Sequence, residues 1–191
     1  TSRFGNRVGL DFEAVKGNYT ELTQFDYDEY SIKPTVNWEI SEKSRIRGRL
    51  GYTSRDYKSD IEPDFDGFTG RLTLVRNPEE PTTWQADIYR EISTLNDDEA
   101  NYALIDGVSI APTWAIGGKT VLNLFASYEQ RDFQGGGQRQ DNVATGSIFA
   151  DWEAINLFTL SAGVTAQDRS SNVDRFDYSD VMAELRLRAG F

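Results

Sequence analysis

Strict alternation of polar and apolar residues is the feature that most constrains the fold of this chain. In the stretch "RIRGRL", residues 45–50, arginine occupies every second position and Ile46, Gly48 and Leu50 lie between the arginines. Residues 32–40 and 67–74 alternate in the same way. A period of two belongs to the β-strand, whose successive side chains point to opposite faces of a sheet. The sequence therefore predicts an all-β protein whose strands face two different environments.

Alternation recurs in ten segments, most of them 9 to 15 residues long. The usual strand of a globular protein has about 5–6 residues, whereas a tilted strand needs roughly 9–11 to cross a bilayer. The segments lie near 3–14, 28–40, 44–56, 67–76, 83–91, 102–116, 119–132, 143–152, 157–167 and 178–191. Short connections ("SEK", "NPEEPT", "GG", "EAIN") alternate with long ones near 15–27, 57–66, 92–101, 133–142 and 168–177. This pattern predicts an antiparallel up-and-down transmembrane β-barrel of about ten strands.

Composition removes several classes of function. The chain has no cysteine and no histidine, which excludes disulfides, Cys/His zinc sites and Ser-His-Asp triads. Its formal net charge of -11 argues against nucleic acid as a partner. We expect no enzyme, no cofactor and no metal centre. The acidic stretch containing Asp60, Glu62, Asp64 and Asp66 lacks the spacing of an EF-hand loop, and a solvated acidic surface is favoured over a cation site.

The aromatic residues are sorted by position. Every tryptophan lies within a few residues of a short connection, and the tyrosines lie toward the long ones. Two separated aromatic belts are typical of the two interfaces of a membrane. The residues predicted to lie at these interfaces are Trp38, Trp84, Trp114, Trp152, Tyr52 and Tyr128.

If the apolar positions face lipid, the alternating arginines face the lumen, because arginine near the membrane midplane costs roughly 2–4 kcal/mol. The predicted lumen-facing basic track consists of Arg45, Arg47, Arg49, Arg71, Arg186 and Arg188. Two interpretations remain open. The arginines pair with lumen acids in a narrow interior, or they contact an anionic substrate such as an acidic polysaccharide. The acids available for pairing are Asp11, Glu13, Glu39, Asp87, Glu91, Asp151 and Glu184.

An internal repeat supports a single β-barrel domain over residues 1–191. A shift of 76 residues maps Tyr52 onto Tyr128 and Arg55 onto Arg131. The repeating unit is four strands, or two hairpins, and a barrel can grow by adding hairpins.

Several segments resemble a known family. "DFDGFTGRLTLVRNPEEPTTWQADIYREIS", the loop entries "RDYKSD" and "RDFQGGG", and the final "DYSDVMAELRLRAGF" are similar to the EpsL-like or putative β-barrel porin proteins of exopolysaccharide operons. The resemblance implies a non-enzymatic protein of the bacterial outer membrane that acts in polysaccharide export as a channel or porin-like conduit. Members of that family are generally longer, which implies either the C-terminal part of a larger barrel or a small closed one.

The end of the chain resembles the C-terminal signal that the barrel-assembly machinery recognises. Leu185, Leu187 and Phe191 carry this resemblance, and Ala189 departs from it because a larger apolar residue is common at that position. Outer-membrane lipid and lipopolysaccharide are the other expected partners.

Two alternatives to the conduit remain. One is a plugged structural or adhesive barrel whose acidic loops bind cations. The other is a soluble lipocalin-like binding protein, which predicts apolar side chains pointing inward. The sequence leaves open the substrate, the state of the lumen, ion preference and oligomeric state.

Overall fold

Ten antiparallel strands form one sheet in which each strand pairs with its neighbours in sequence. The computed structural model describes residues 5–21, 23–59, 63–77, 82–97, 100–135, 139–155 and 157–189. The strands are β1 (Arg7–Gly17), β2 (Tyr27–Ser41), β3 (Ser44–Tyr57), β4 (Phe65–Arg76), β5 (Thr83–Asp97), β6 (Ala100–Ile116), β7 (Thr120–Gln134), β8 (Arg139–Ile155), β9 (Phe158–Ser171) and β10 (Tyr178–Ala189). Single 3-10 turns occupy Thr23–Phe25 and Asp174–Phe176. The prediction of an all-β, up-and-down antiparallel fold is confirmed.

The strands extend further into the predicted long connections than the alternation indicated. β5 continues to Asp97 and β6 resumes at Ala100, so most of the stretch 92–101 belongs to a hairpin. The stretches 133–142 and 168–177 are likewise shortened, because β7 runs to Gln134 and β9 to Ser171. Backbone pairing therefore continues beyond the residues in which polar and apolar side chains alternate. We call the side of the sheet with these connections the long-loop edge and the opposite side the short-turn edge.

The sheet has two free edges, since the described residues of β1 and β10 do not pair with each other. Within the described part of the chain, no helix is long and apolar enough to span a membrane.

The two faces of the sheet differ sharply. Its largest fully buried side chains, Thr53, Asp141 and Val143, all belong to one face. We call this face, on which these side chains are buried, the inner face. The opposite, outer face carries apolar residues in the open, and Val8 and Leu185 are 84% and 73% exposed. The soluble lipocalin-like alternative, which needs apolar residues inside, is therefore wrong.

The strands are tilted relative to the line that joins directly paired residues on successive strands, as in the wall of a barrel. A row of directly paired outer-face residues begins at Val8, near the short-turn edge of β1, and ends at Ser179, at the long-loop edge of β10. The row consists of Val8, Val36, Gly48, Leu72, Ile88, Val108, Tyr128, Ala144, Asp168 and Ser179. A path from each residue to its paired neighbour on the next strand therefore moves from the short-turn edge at β1 to the long-loop edge at β10. This displacement is the stagger that accompanies tilted barrel strands.

Gly51 permits a close approach of two strands in this wall. A Cβ on Gly51 would lie 1.9 Å from the carbonyl oxygen of Ile32 and 2.6 Å from the Cα of Lys33. No side chain fits in that space, because the two backbones approach one another directly. The pairing of β2 with β3 is interrupted here, between Ile32↔Tyr52 and Thr35↔Arg49. Lys33 lines an inner-face cavity described below.

Candidate functional site: the inner wall and its in-turned hairpin

All six arginines of the predicted basic track have inner-face positions, and three of them are paired with acids. Arg49 on β3 donates from Nη2 to Glu13 Oε2 at 2.8 Å, and its Nε lies 3.6 Å from Asp11 Oδ2. Both acids are on β1, two strands away, so this pair bridges across β2. Arg186 on β10 contacts Glu184 on the same strand. These contacts favour the interpretation of the track as a set of ion pairs for this part of the wall.

Arg71 has the most complete set of partners. It binds Glu91 in a bidentate manner, with Nε and Nη2 at 2.9 and 2.8 Å from the two carboxylate oxygens. Its guanidinium carbon also lies 4.1 Å from the centre of the Tyr89 ring, a cation–π distance. Asp87, 3.9 Å away, accepts a hydrogen bond of 2.6 Å from Thr73. Arg71 is therefore held in one orientation between β4 and β5.

The other three arginines of the track have no ion pair among the described residues. Arg45 and Arg47 on β3 and Arg188 on β10 are exposed, and all three lie toward the short-turn edge. The predicted track is therefore divided into a paired part and an unpaired part.

Two inner-face charge clusters that contain a buried arginine were missed in the sequence. In the first, Arg55 binds Glu29 at 2.5 Å through Nη2 and stacks over Tyr27 at 4.3 Å. Only 6% of the Arg55 side chain and 12% of the Glu29 side chain are exposed. Arg55 continues the inner-face alternation of Arg49, Gly51 and Thr53. Extending the two-residue period beyond the arginine-rich stretch would therefore have identified Arg55 as an inner-face residue.

The second missed cluster joins β8 and β9. Asp141, fully buried, contacts both Arg139, at 3.2 Å, and Arg169. The Arg139 guanidinium lies 3.7 Å from the ring centres of both Phe133 and Phe176. Phe176 belongs to the 3-10 turn before β10, so this cluster fastens a long-loop segment onto the inner face.

The β5–β6 hairpin turns inward at the long-loop edge. Pairing of β4 with β5 ends at Gly70↔Arg90, whereas β3–β4 pairing continues to Arg55↔Phe65 and β5–β6 pairing to Asp97↔Ala100. Beyond this point Ile92 and Leu104, which have outer-face parity, pack against Phe65 on the inner face of β4. The outer face of the hairpin therefore lies against the inner face of the β3–β4 wall.

Tyr102 fastens this hairpin. Its ring stacks on Tyr57 with centres 5.9 Å apart and planes at 8°, and it meets Phe65 edge-on at 6.1 Å. Its hydroxyl donates to the carbonyl oxygen of Asp64 at 3.3 Å. Tyr102 lies beyond the apolar outer-face positions of β6, and its burial raises the pKa of the phenol to about 12, so the hydroxyl stays a donor.

A cavity of about 230 Å³ opens on the inner face next to the in-turned hairpin. The residues that line it are Glu29, Lys33, Arg49, Thr53, Arg55, Thr69, Gly70, Arg71, Glu91 and Ile92. Thr53 and Thr69 are hydrogen-bonded to each other at 2.7 Å. The cavity joins the three paired arginines of β3 and β4 in one polar space.

The six aromatic residues predicted for the membrane interfaces all have outer-face positions. Trp84 and Trp114 meet edge-to-face at 5.4 Å, and Trp38 and Trp152 are 55% and 48% exposed. Tyr52 packs on Phe68 at 5.7 Å, and the Tyr128 hydroxyl bonds to Asn142. Other tyrosines depart from the belt, because Tyr27, Tyr57 and Tyr89 face inward as platforms for arginines or for Tyr102.

The remaining predicted features fall partly outside the described residues. Leu185 and Leu187 have outer-face positions on β10, whereas Phe191 lies outside the described part of the chain. Of the acidic stretch, Asp60 and Glu62 are also outside it, and Asp64 accepts a hydrogen bond from the Tyr57 amide at 2.7 Å. Among the described residues no group of three or more acidic side chains is arranged to hold a metal ion.

Comparison with family models finds one that spans nearly the whole chain. The model described as Putative beta-barrel porin 2 matches residues 12–191. Comparisons with curated proteins and with solved structures found no match.

Proposed function

Since the chain belongs to the Putative beta-barrel porin 2 family, we propose that it forms a porin-like wall in the bacterial outer membrane and serves as a conduit in exopolysaccharide export. The observation that carries this proposal is the sorting of the two faces. One face of a single sheet presents unpaired apolar side chains to its surroundings, and the other presents bridged charges and hydroxyls. A porin family implies an outer-membrane location and a non-enzymatic role.

The apolar outer face approaches the height of the apolar band of an outer-membrane barrel. On β9 it runs from Phe158 through Leu160, Ala162 and Val164 to Ala166, where Asp168 follows. These nine residues cover about 27 Å along the strand and roughly 20 Å along the membrane normal at a tilt of about 40°. The apolar band of an outer-membrane barrel is about 25 Å tall. Contact of this band with lipid and lipopolysaccharide, and insertion by the barrel-assembly machinery, belong to the same proposal.

The inner wall suits a hydrated polymer better than an apolar one. Arg49, Arg71 and Arg186 are bridged to acids, so at these positions a passing chain meets fixed donors and acceptors. The link to exopolysaccharide rests on the resemblance of the quoted segments to proteins of such operons, and the polar inner wall supports it.

Two experiments test the proposal. The purified chain, refolded in detergent, is expected to run as a compact band on a gel and to slow after boiling, because folded barrels resist unfolding at room temperature. A strain that lacks the gene is expected to release less polysaccharide, with recovery on complementation. A protein that folds without detergent, or a strain whose polysaccharide output is unchanged, contradicts the proposal.

The plugged structural barrel remains a second candidate, favoured by the in-turned β5–β6 hairpin and by the paired inner charges. Single-channel recording in planar bilayers separates the two. A conduit passes current, and a plugged barrel of the same folded protein passes none.

A further inference from the structure

The inner-face cavity next to the β5–β6 hairpin has the size for one small polar unit. Its volume of about 230 Å³ is several times the roughly 30 Å³ that a water molecule occupies. It is also smaller than the approximately 300–1,000 Å³ of a pocket for a drug-sized ligand. Residues from four consecutive strands, β2 to β5, form its wall.

The lining of the cavity carries more positive than negative charge. Arg55 and Glu29 neutralise each other at its most buried part, and Arg71 is matched by Glu91. The two remaining charged groups of the lining, Lys33 and Arg49, are both cations. Arg49 reaches Asp11 and Glu13, but these acids lie on β1 and do not line the cavity.

Lys33 is a cation of the lining that is available to bind an anionic ligand. Its side chain is half-buried on β2, and it has no ion pair among the described residues. Asp11, directly opposite Lys33 on β1, contacts Arg49. An anion placed in the cavity would form charge-assisted hydrogen bonds with the half-buried ammonium of Lys33.

Other groups of the lining suit hydroxyls rather than charge. Thr53 and Thr69 form a buried pair at the cavity wall, and the carboxylate of Glu91 is 44% exposed beside Arg71. Ile92, from the in-turned hairpin, adds an apolar surface on one side. A ligand that carries one carboxylate and several hydroxyls matches this set better than a simple anion or a neutral sugar does.

We propose that this cavity binds a single carboxylate-bearing sugar residue, a uronate, with Lys33 and Arg49 holding its carboxylate. The inference rests on the conduit proposed above, which it deepens by assigning acidic sugar units as the class of substrate and this cavity as a subsite. Arg71 and Glu91 position the ring through its hydroxyls.

The test is binding of D-glucuronate to the full chain refolded in detergent, measured by saturation-transfer NMR, with D-glucose and acetate as comparison ligands. We expect glucuronate to bind at least tenfold more tightly than either. Lys33→Met is expected to weaken glucuronate by about tenfold, as loss of a charge-assisted bond does, and Lys33→Arg to restore most of the affinity. Lys16→Gln, which removes a cation from the outer face of β1, serves as the matched control.

Unchanged affinity in Lys33→Met, equal binding of acetate, or equal binding of glucose would each overturn the assignment. The compact band before boiling shows whether each variant is folded, and Lys33→Arg supplies a second reading if Lys33→Met is not. Polysaccharide release and conductance measured on the same proteins report separately on the conduit. If glucuronate binds but the protein neither supports polysaccharide release nor passes current, the conduit is refuted and the site is retained. If the protein does either of these but does not bind glucuronate, the site alone is refuted.

Discussion

Moving an arginine by one residue along β9 should change the stability of the protein by several kcal/mol. Ala162 lies on the outer face at the middle of the apolar stretch 158–166, and Ser161 beside it lies on the inner face. Ser161 pairs with Asp151 on β8 and with Arg186 on β10, so an arginine there has one carboxylate and one guanidinium beside it, and their effects oppose each other. An arginine at 162 meets lipid at the same depth. Because alanine contributes little apolar area, Ala162→Arg isolates the cost of the charge.

That cost is about 2–4 kcal/mol near the membrane midplane, which lowers the ratio of folded to unfolded protein by about 30- to 700-fold. The assay is urea unfolding of each variant in lipid vesicles, followed by the loss of the compact band on a gel. We expect Ala162→Arg to unfold at clearly lower urea than the wild type and Ser161→Arg to stay close to it. If the two variants unfold at the same urea concentration, or if Ser161→Arg unfolds at the lower one, the assignment of the outer face to lipid is refuted.

Three further predictions follow from single contacts. Tyr102→Ala removes the ring that fastens the β5–β6 hairpin and should raise single-channel conductance in planar bilayers, whereas Tyr102→Phe, which keeps the ring, should match the wild type. Asp141→Asn removes the carboxylate that contacts the buried Arg139 and the half-buried Arg169 and should lower the free energy of unfolding by about 3–5 kcal/mol, while Asp168→Asn on the exposed outer face changes it little, as urea titration will show. Gly51→Ala places a Cβ against the backbone of β2 and should abolish the compact band, but Gly146→Ala, where a Cβ has open space, should retain it.

Most of the fold was predictable because two solvents impose a period of two. Where one face of a strand meets lipid and the other meets water, the polarity of each side chain indicates the face on which it lies. The faces of Arg45, Arg49 and Leu50 follow directly. Past the apolar stretch both faces meet water, so the pattern fades although backbone hydrogen bonds continue. This is why the strand segments up to Asp97 and from Ala100 were predicted as a loop.

The inward turn of the hairpin could not be read from the sequence. It depends on where β4 and β5 cease to pair, and no local pattern around Gly70 or Arg90 marks that point. The packing of Tyr102 on Tyr57 joins residues of strands that are not neighbours. The aromatic sorting, by contrast, placed Tyr57 and Tyr102 at the long-loop edge but gave no means of telling an interface ring from one that faces inward.

The division of the basic track predicts a different role for each of its two parts. An arginine already bridged to a carboxylate, as Arg71 is to Glu91, has its hydrogen bonds satisfied, and a ligand must compete with that pair. Exposed Arg45, Arg47 and Arg188 have no such competitor among the described residues, and neither does the half-buried Lys33. Arg71 therefore acts mainly on the rigidity of the wall. In the proposed conduit, discrimination between anionic and neutral polymers falls to Lys33 and Arg49 in the cavity and to the unpaired arginines at the short-turn edge. Neutralising Arg71 should thus affect folding more than ligand preference, and neutralising Lys33 should do the reverse.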